Sequence, residues 1–267
     1  MHRTAITILI ATVALACGAS SAAAAPIHPG VQTFTAGGQC TANFIFRDGS
    51  NTYIGQAAHC SGTGGSTATD GCQSGSLPLG TPVRVTGATR PGTLAYNSWL
   101  TMQDKGETNA DACQYNDFAL VRLDPADVPD VDSSVPGFGG PTSVGGAGRL
   151  EAVYSYGNSS LRAGITALSP KQGVVLTSVG DGWSRTVLTV TPGIPGDSGS
   201  GFLNASGQAI GVLSTLSLAP VPATNGVGDL GLALSYMRAN APSFSDVQLV
   251  PGTTPFKGNL LGAILGL

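Results

Sequence analysis

The chain has 267 residues, of which only 10% are charged, against roughly 25% in an average soluble domain. Glycine (39 residues) and proline (17 residues) are abundant, and the formal net charge is −3. This charge gives no reason to expect nucleic acid or an anionic membrane as a partner. The length allows one large or two small domains with a real core, and the composition is typical of a turn-rich, all-β secreted protein.

Residues 1–25 have the pattern of a secretory signal peptide. A short basic region, His2 and Arg3, precedes an apolar stretch at 5–16 and a run of small residues. The apolar stretch is short for a membrane span, so cleavage near Ala25 is predicted rather than a retained anchor. We therefore expect a secreted protein with no stable membrane association.

Four cysteines follow the predicted leader, at positions Cys40, Cys60, Cys72 and Cys113. An even number of cysteines in an exported chain predicts two disulfides, and the residues alone leave three connectivities open. No C-x-x-C pair occurs, so a metal site is not expected at these cysteines. No cofactor is expected.

Short apolar runs separated by Gly, Pro, Asn and Asp recur along the chain, and several alternate with period two, as half-buried strands do. Strands are predicted at 42–46, 52–57, 82–85, 118–123, 150–156, 174–179, 186–190 and 208–213. Residues 125–148 lack periodicity and are rich in proline and glycine, which indicates a linker between two strand-rich halves, 26–124 and 149–240. One helix is predicted, at 232–240, before a tail at 241–267.

The segment 192–201 reads P-G-I-P-G-D-S-G-S-G, and this glycine and proline content excludes a regular helix or a central strand. The serine of its G-D-S-G sequence, Ser198, is a candidate nucleophile, because a bare backbone lets a substrate approach and lets amides converge on an oxyanion. The base would be His59, in A-A-H-C, since His2 and His28 lie near the chain start. Asp117, in N-D-F-A-L-V-R-L, is the candidate carboxylate that orients the imidazole.

These three segments, in the order His, Asp, Ser, resemble the signatures of the chymotrypsin-like (trypsin-type) serine proteases, and secreted bacterial members more than animal digestive ones. The resemblance covers roughly residues 37–240. It implies two six-stranded antiparallel β-barrels and a C-terminal helix, with His59 and Asp117 on the first barrel, Ser198 on the second and the active site in the cleft between them. It also implies a protein or peptide substrate for a chain that acts as a monomer.

The resemblance assigns two further structural features. The amides of Gly196 and Ser198 would form the oxyanion hole. In the family, the loop that bears the histidine is bridged to the preceding strand. This favours Cys40–Cys60 and leaves Cys72 and Cys113 as the second pair.

Asp197 corresponds to an aspartate that pairs, in activated animal members, with a new N-terminus released by cleavage. No basic residue followed by I-V-G-G precedes Cys40 here. A buried, unpaired carboxylate would be costly, so an internal arginine is expected to pair with Asp197. The candidates are Arg149 and Arg162.

The resemblance also places Pro192 at the base of the specificity pocket. Ser214, Thr215 and Leu216 match the segment that pairs with the substrate backbone. Because Pro192 brings no charge, we expect a small or medium apolar P1 residue rather than Arg or Lys. Asp229 is the remaining carboxylate that could bind a basic P1, and it is expected to face solvent.

Two other functions compete with a peptidase. The G-D-S sequence also occurs in an esterase family, but there a histidine follows the serine, whereas no histidine follows Ser198. A catalytically silent binding protein on the same scaffold would usually lack one of the three site residues, and this chain retains all of them. The sequence therefore favours a secreted serine endopeptidase.

Overall fold

The computed structural model describes residues 26–36, 38–65, 69–217 and 222–266. The predicted leader, 1–25, lies outside the described residues. In the described part, strands dominate and the helices are short. None of those helices has the length and apolar character needed to cross a membrane.

The first half of the chain builds an eight-stranded antiparallel sheet. Its strands are β1 (Gln32–Thr35), β2 (Gly38–Thr41), β3 (Ile45–Asp48), β4 (Asn51–Gln56), β5 (Pro82–Val85), β6 (Gly92–Asn97), β7 (Ala119–Arg122) and, from the C-terminal segment, β14 (Gln248–Leu249). They are arranged in the order β14-β3-β4-β7-β6-β5-β1-β2. Two helices lie between β6 and β7, α1 (Ser98–Lys105) and α2 (Ala110–Tyr115).

The second half closes into a six-stranded antiparallel barrel. Its strands are β8 (Ala152–Tyr156), β9 (Pro170–Val179), β10 (Ser184–Thr189), β11 (Gly201–Asn204), β12 (Ala209–Ser217) and β13 (Thr224–Asp229). Apolar side chains from these strands fill the barrel interior, because alternate residues of a strand point to the same face. They are Val153, Val175, Val187, Phe202, Ile210, Leu213 and Val227.

The predicted all-β class, a six-stranded antiparallel barrel and the C-terminal helix are confirmed, whereas the second six-stranded barrel is not. The first half is an eight-stranded sheet whose edges are β2 and β14. At the β2 edge the amide of Thr41 donates to the carbonyl oxygen of Ser198 at 2.8 Å. This edge group therefore pairs with the other half of the chain instead of with a strand of its own sheet.

The sequence pattern located eight of the fourteen strands in the described residues and missed six of them. β1, β2, β6, β11, β13 and β14 were not predicted, nor were α1 and α2. β13 shows why: it reads T-N-G-V-G-D, yet five of its six residues are buried, so no polar–apolar alternation marks it. In addition, the predicted strand 42–46 is wrong at its start, since β3 begins only at Ile45.

The C-terminal helix, α3 (Leu230–Asn240), begins two residues earlier than predicted because Asp229 caps it. The carboxylate of Asp229 accepts a hydrogen bond from the amide of Leu232 at 2.7 Å. After α3 the chain returns to the first sheet through β14 and ends its described part with α4 (Leu260–Leu265). Phe244 and Val247 pack into the largest apolar cluster, so this tail is part of the folded core.

Residues 125–148, predicted to form a linker, carry structure of their own. A turn of 3₁₀ helix spans Pro125–Asp130, and Val135 and Phe138 are fully buried in the same cluster as Phe244 and Val247. The connection between the halves is therefore packed against both of them.

Two disulfides join the cysteines as predicted, Cys40 to Cys60 (2.07 Å) and Cys72 to Cys113 (1.95 Å). The first closes a loop with a sequence separation of 20 residues. In the chain-entropy model a loop of this size contributes about 3 kcal/mol to stability.

Candidate active site

A cavity of about 780 Å³ lies between the sheet and the barrel, and both halves line it. His59 and Asp117 come from the first half and Ser198 from the second. The predicted residues Ser214, Thr215 and Leu216 form part of the same wall. The fold thus brings six predicted residues to one cavity.

His59 is positioned by a single turn of 3₁₀ helix, Ala58–Ser61, that follows β4 directly. Both neighbours of the histidine, Ala58 and Cys60, are buried, and Cys60 is bridged to Cys40 in β2. The imidazole itself keeps 26% of its side-chain surface exposed. Its backbone is therefore fixed from two sides while the ring reaches the cavity.

Asp117 lies between α2 and β7, and its carboxylate is almost completely buried. One oxygen lies 2.6 Å from Nδ1 of His59, and the other accepts from the backbone amide of His59 at 2.9 Å. The hydroxyl of Ser214 donates to the first oxygen at 2.5 Å. Because an ionised carboxylate can only accept, Nδ1 carries a proton and Nε2 is left free to accept one.

The two groups shift each other's titration. Burial lowers the pKa of His59, but the charge of Asp117 and the hydrogen bond to it outweigh burial and leave the pKa above its ordinary 6.5. Burial raises the pKa of Asp117, but the charge of His59 and the hydrogen bonds from His59 and Ser214 leave it below its ordinary 3.8. Asp117 is therefore ionised throughout the range in which His59 titrates.

Ser198 lies in a loop that is tied to both halves of the molecule. Its carbonyl oxygen accepts from Thr41 in β2, and the amide of the next residue, Gly199, donates to Leu213 in β12 at 2.7 Å. Gly199 has φ +89°, and a Cβ atom there would lie 2.5 Å from the carbonyl oxygen of Thr41. Only glycine fits this position, because both the backbone angle and the close approach exclude a side chain.

Three polar groups at Ser198 form no hydrogen bond within the described part of the protein. Within the described residues, its hydroxyl forms no hydrogen bond, not even to His59, and the amides of Gly196 and Ser198 donate to no protein acceptor. Catalytic hydrogen bonds are often long in free enzymes and tighten when substrate binds. The Ser198 hydroxyl, which lines the cavity, and the amides of Gly196 and Ser198 thus remain available for hydrogen bonds.

Asp197, between these two amides, is completely buried and pairs with a cation as expected. Nη2 of Arg162 lies 2.6 Å from its carboxylate. Arg149, the other candidate, instead donates to the carbonyl oxygen of Leu176. A second cation, Lys171, was not predicted, and its ammonium lies 3.0 Å from the same carboxylate oxygen.

Two segments of the cavity wall near Ser198 are joined by hydrogen bonds to Asn225, a residue that the sequence analysis did not identify. Asn225 is fully buried; its side chain accepts from the amide of Gly193 at 2.7 Å and donates to the carbonyl oxygens of Gly193 and Thr215. Gly193 and Thr215 line the cavity, whereas Pro192, expected at its base, is not among the lining residues. The carbonyl oxygen of Pro192 instead accepts from Arg162 at 3.0 Å.

The expectation that Asp229 faces solvent is wrong. Its carboxylate is buried and lies 2.6 Å from Nη1 of Arg185, while also capping α3. Asp229 is buried because β13, the strand that ends at Asp229, pairs with β10, and β10 carries Arg185. Asp229 is therefore already paired with a cation inside the protein.

No protein-family model matches the chain, and no curated protein does. Among solved structures, Thermobifida fusca protease A superposes with a TM-score of 0.53 at 18% identity, covering 85% of this chain and 99% of that one. A glutamic acid-specific serine protease gives 0.52 at 18% identity (84% and 100%), and Cellulomonas bogoriensis chymotrypsin gives 0.51 at 17% identity (84% and 98%). The chain has the chymotrypsin-like fold. At these identities the likeness establishes the fold, and the chemistry rests on the residues themselves.

On this chymotrypsin-like fold, the sequence did not reveal the buried residues that contact the site residues and their loop. Asn225 and Lys171 lie in strands, far along the chain from the residues they touch, and no local motif surrounds them. Ser214 was predicted only as a substrate-binding residue, although it also holds Asp117. Lys171 precedes the predicted strand 174–179, and β9 also carries the polar residues Gln172, Thr177 and Ser178, so no sequence signal marked it.

Proposed function

We propose that the protein is a secreted serine endopeptidase that hydrolyses peptide bonds with Ser198, His59 and Asp117. The observation that carries this proposal is the 2.6 Å contact of His59 with a buried, three-fold hydrogen-bonded Asp117, in a cavity that also contains Ser198. Acyl transfer needs an imidazole that a carboxylate orients, a serine hydroxyl and amide donors for the oxyanion, and this site contains all of these groups.

In this mechanism, Nε2 of His59 takes the proton of Ser198 as Oγ attacks the substrate carbonyl carbon. Asp117 holds the imidazole and stabilises the imidazolium that forms. The amides of Gly196 and Ser198 stabilise the oxyanion of the tetrahedral intermediate. His59 then passes its proton to the leaving amine, and the acyl-enzyme is hydrolysed by the same steps with water as the nucleophile.

We also propose that the peptidase prefers a small or medium apolar P1 residue. Among the described residues, the only ionisable side chains that line the cavity are His59 and Asp117, and these two bind each other. Asp229 is paired with Arg185 and so offers nothing to a basic P1. The glutamic acid-specific neighbour uses a histidine triad in substrate binding, whereas a single histidine, His59, lines this cavity in the part of the chain that the structure describes.

Two features of the chain support secretion of this peptidase. Residues 1–25 read as a leader, and the mature part holds two disulfides. Disulfides of this kind persist in oxidising compartments. The proposed enzyme acts as a monomer on protein or peptide substrates.

The test is labelling of the purified protein with a fluorophosphonate, followed by peptide mapping. We expect a covalent adduct on Ser198, and we expect Ser198→Ala to lose both labelling and amide hydrolysis at an unchanged thermal midpoint. Ser50→Ala, a matched change in an exposed turn, should retain both. Labelling without hydrolysis of any peptide, but with hydrolysis of simple esters, would indicate an esterase. No labelling of the folded protein would indicate a silent scaffold and contradict the proposal.

A further inference from the structure

Lys171 is the feature that the proposed mechanism leaves unexplained. It is one of three lysines in the chain and is completely buried at the start of β9. The other two, Lys105 and Lys257, are exposed. Taking an ammonium out of water costs several kcal/mol, so a buried lysine needs a compensating role.

The site around Lys171 is built for close charge contact. Its Nζ lies 3.0 Å from Oδ2 of Asp197, the oxygen that also contacts Arg162 at 2.6 Å. Gly157 allows this approach, because a Cβ atom there would lie 2.5 Å from the Asp197 carboxylate and 2.7 Å from Cε of Lys171. Within the described residues, Nζ has no well-oriented hydrogen bond, so the contact is one of charge with charge.

The carboxylate of Asp197 in turn holds the loop that carries the proposed oxyanion donors. Oδ1 accepts from the amide of Ser159 at 3.0 Å, and Oδ2 accepts from the amide of Ile194 at 3.1 Å. Asp197 stands between Gly196 and Ser198 in the chain. A group that fixes Asp197 therefore fixes the backbone on both sides of it.

We propose that Lys171 is a positioning residue for the reaction, which acts with Arg162 on Asp197 to hold the amides of Gly196 and Ser198 in place for the oxyanion. This proposal rests on the proposed peptidase function and assigns a role in it to a residue outside the cavity. Lys171 touches no substrate. It acts only through Asp197, and only while its ammonium is protonated.

The cluster is sensitive to pH because it holds two cations and one carboxylate. Asp197 and Arg162 are the ionisable groups that face Lys171 in the described part of the chain. Burial lowers the pKa of Lys171 from its ordinary 10.5 to about 8, a fall that Arg162 reinforces and that Asp197 only partly opposes. Above that pH the ammonium is lost, and Asp197 keeps only Arg162 as a charged partner.

This predicts opposite effects of pH on activity and on stability. Loss of the Lys171 proton removes one tether and one positive charge near the oxyanion amides, so kcat falls while KM changes little. Stability, in contrast, rises between pH 8 and 10 on account of Lys171, because the unfolded state still binds a proton there that the folded state has released. A purely structural lysine would give the same rise in stability but would leave kcat unchanged over this pH range.

The experiment compares wild type, Lys171→Met and the control Lys257→Met, using kcat, KM and thermal midpoint from pH 7 to pH 10. We expect kcat of the wild type and of Lys257→Met to fall about fivefold with a midpoint near 8, less than the roughly hundredfold loss of an oxyanion donor itself. Lys171→Met should have a lower kcat than wild type at pH 7, the same kcat at pH 10, and no such fall between them. Its thermal midpoint should also lack the rise above pH 8.

A measurement on wild type alone keeps the proposal testable if Lys171→Met does not fold. With ¹³C-labelled lysine, three Cε signals should be resolved, and one should titrate near the midpoint of the kcat change. Lys105→Met and Lys257→Met assign the other two signals. A change in kcat that no lysine signal follows would overturn the proposal, as would an unchanged kcat profile in Lys171→Met. If the wild type is active but gives either of these two results, only the role of Lys171 is contradicted. If the wild type shows neither labelling nor hydrolysis, the peptidase function is contradicted, and the role of Lys171 with it.

Discussion

At the scale of single residues, the site depends on a carboxylate that receives three hydrogen bonds. Asp117 accepts from the backbone and the side chain of His59 and from the hydroxyl of Ser214. Each bond favours the ionised form of Asp117, and the resulting charge favours the protonated form of His59. The base that the reaction needs is therefore held at a higher pKa than a free imidazole, and it is fixed in a single tautomer.

The first prediction follows from the raised pKa of His59. Activity requires the neutral imidazole, so kcat/KM should increase with pH along a limb whose midpoint lies above 6.5. The contribution of His59 to stability has the opposite sign: it is fully present below the unfolded pKa and is lost as pH rises through the folded pKa. Asp117→Asn removes the charge, so the midpoint of its residual activity should move down. The matched surface change Asp104→Asn should leave the limb in place, and a midpoint at or below 6.5 in the wild type would count against the assignment.

At the scale of elements, one wall of the cavity forms where the loop before Ser198 packs against the strands β12 and β13. Asn225 of β13 joins Gly193 of that loop to Thr215 of β12. It also lines a second cavity of about 550 Å³, which shares Ser214 and Thr215 with the first. The Asn225 side chain therefore lines the second cavity and bonds to two residues, Gly193 and Thr215, that line the first.

We accordingly expect Asn225→Ala to deepen the cavity and to shift the P1 preference towards larger apolar residues. The ratio of kcat/KM for a Phe substrate to that for an Ala substrate should increase about tenfold, within the range that one pocket contact provides. A panel of peptides that differ only at P1, with Arg, Lys and Glu included, measures this. Asn240→Ala, at the end of α3, is the control. An unchanged ratio in a folded Asn225→Ala protein would refute the cavity assignment, and a preference for Arg or Lys in wild type would refute the apolar one.

At the scale of the whole molecule, the C-terminal segment completes the first half of the chain. β14 pairs with β3 at the sheet edge, and Phe244 packs against Tyr53 and Tyr96 with ring centroids 6.0 and 5.5 Å apart. Val247, in the same segment, is fully buried. The sheet that holds His59 and Asp117 therefore depends on residues that follow Ser198 by more than forty positions.

Val247→Ala should lower the free energy of unfolding by about 2 kcal/mol, because it removes two buried methyl groups and leaves a cavity. Val190→Ala is the matched control, since the Val190 side chain is 75% exposed and its loss should change stability little. Both variants should retain wild-type kcat/KM where they are folded, because neither residue lines the cavity. Equal stability of the two variants in urea unfolding would contradict the packing role of the C-terminal segment.

The sequence alone predicted the all-β class, the helix before the tail, the presence of two disulfides, and Ser198, His59 and Asp117 as site residues. These features depend on local chemistry: a proline- and glycine-rich loop cannot form regular structure, and a lone usable histidine limits the choice of base. The pairing of the four cysteines and the wall residues Ser214, Thr215 and Leu216 were predicted only through the resemblance to a known family. The chymotrypsin-like fold then positions those residues.

Only the tertiary structure determined which buried side chains support those residues. Strand β13, the salt bridge of Asp229 with Arg185, the Asn225 cross-link and the Lys171–Asp197–Arg162 cluster all arise from contacts between positions far apart in the chain. Lys171 and Asp197, for example, are 26 residues apart in the sequence and 3.0 Å apart in the structure. A sequence pattern reports the polarity of each side chain, whereas burial and charge pairing depend on which strands become neighbours, and here barrel closure determines that.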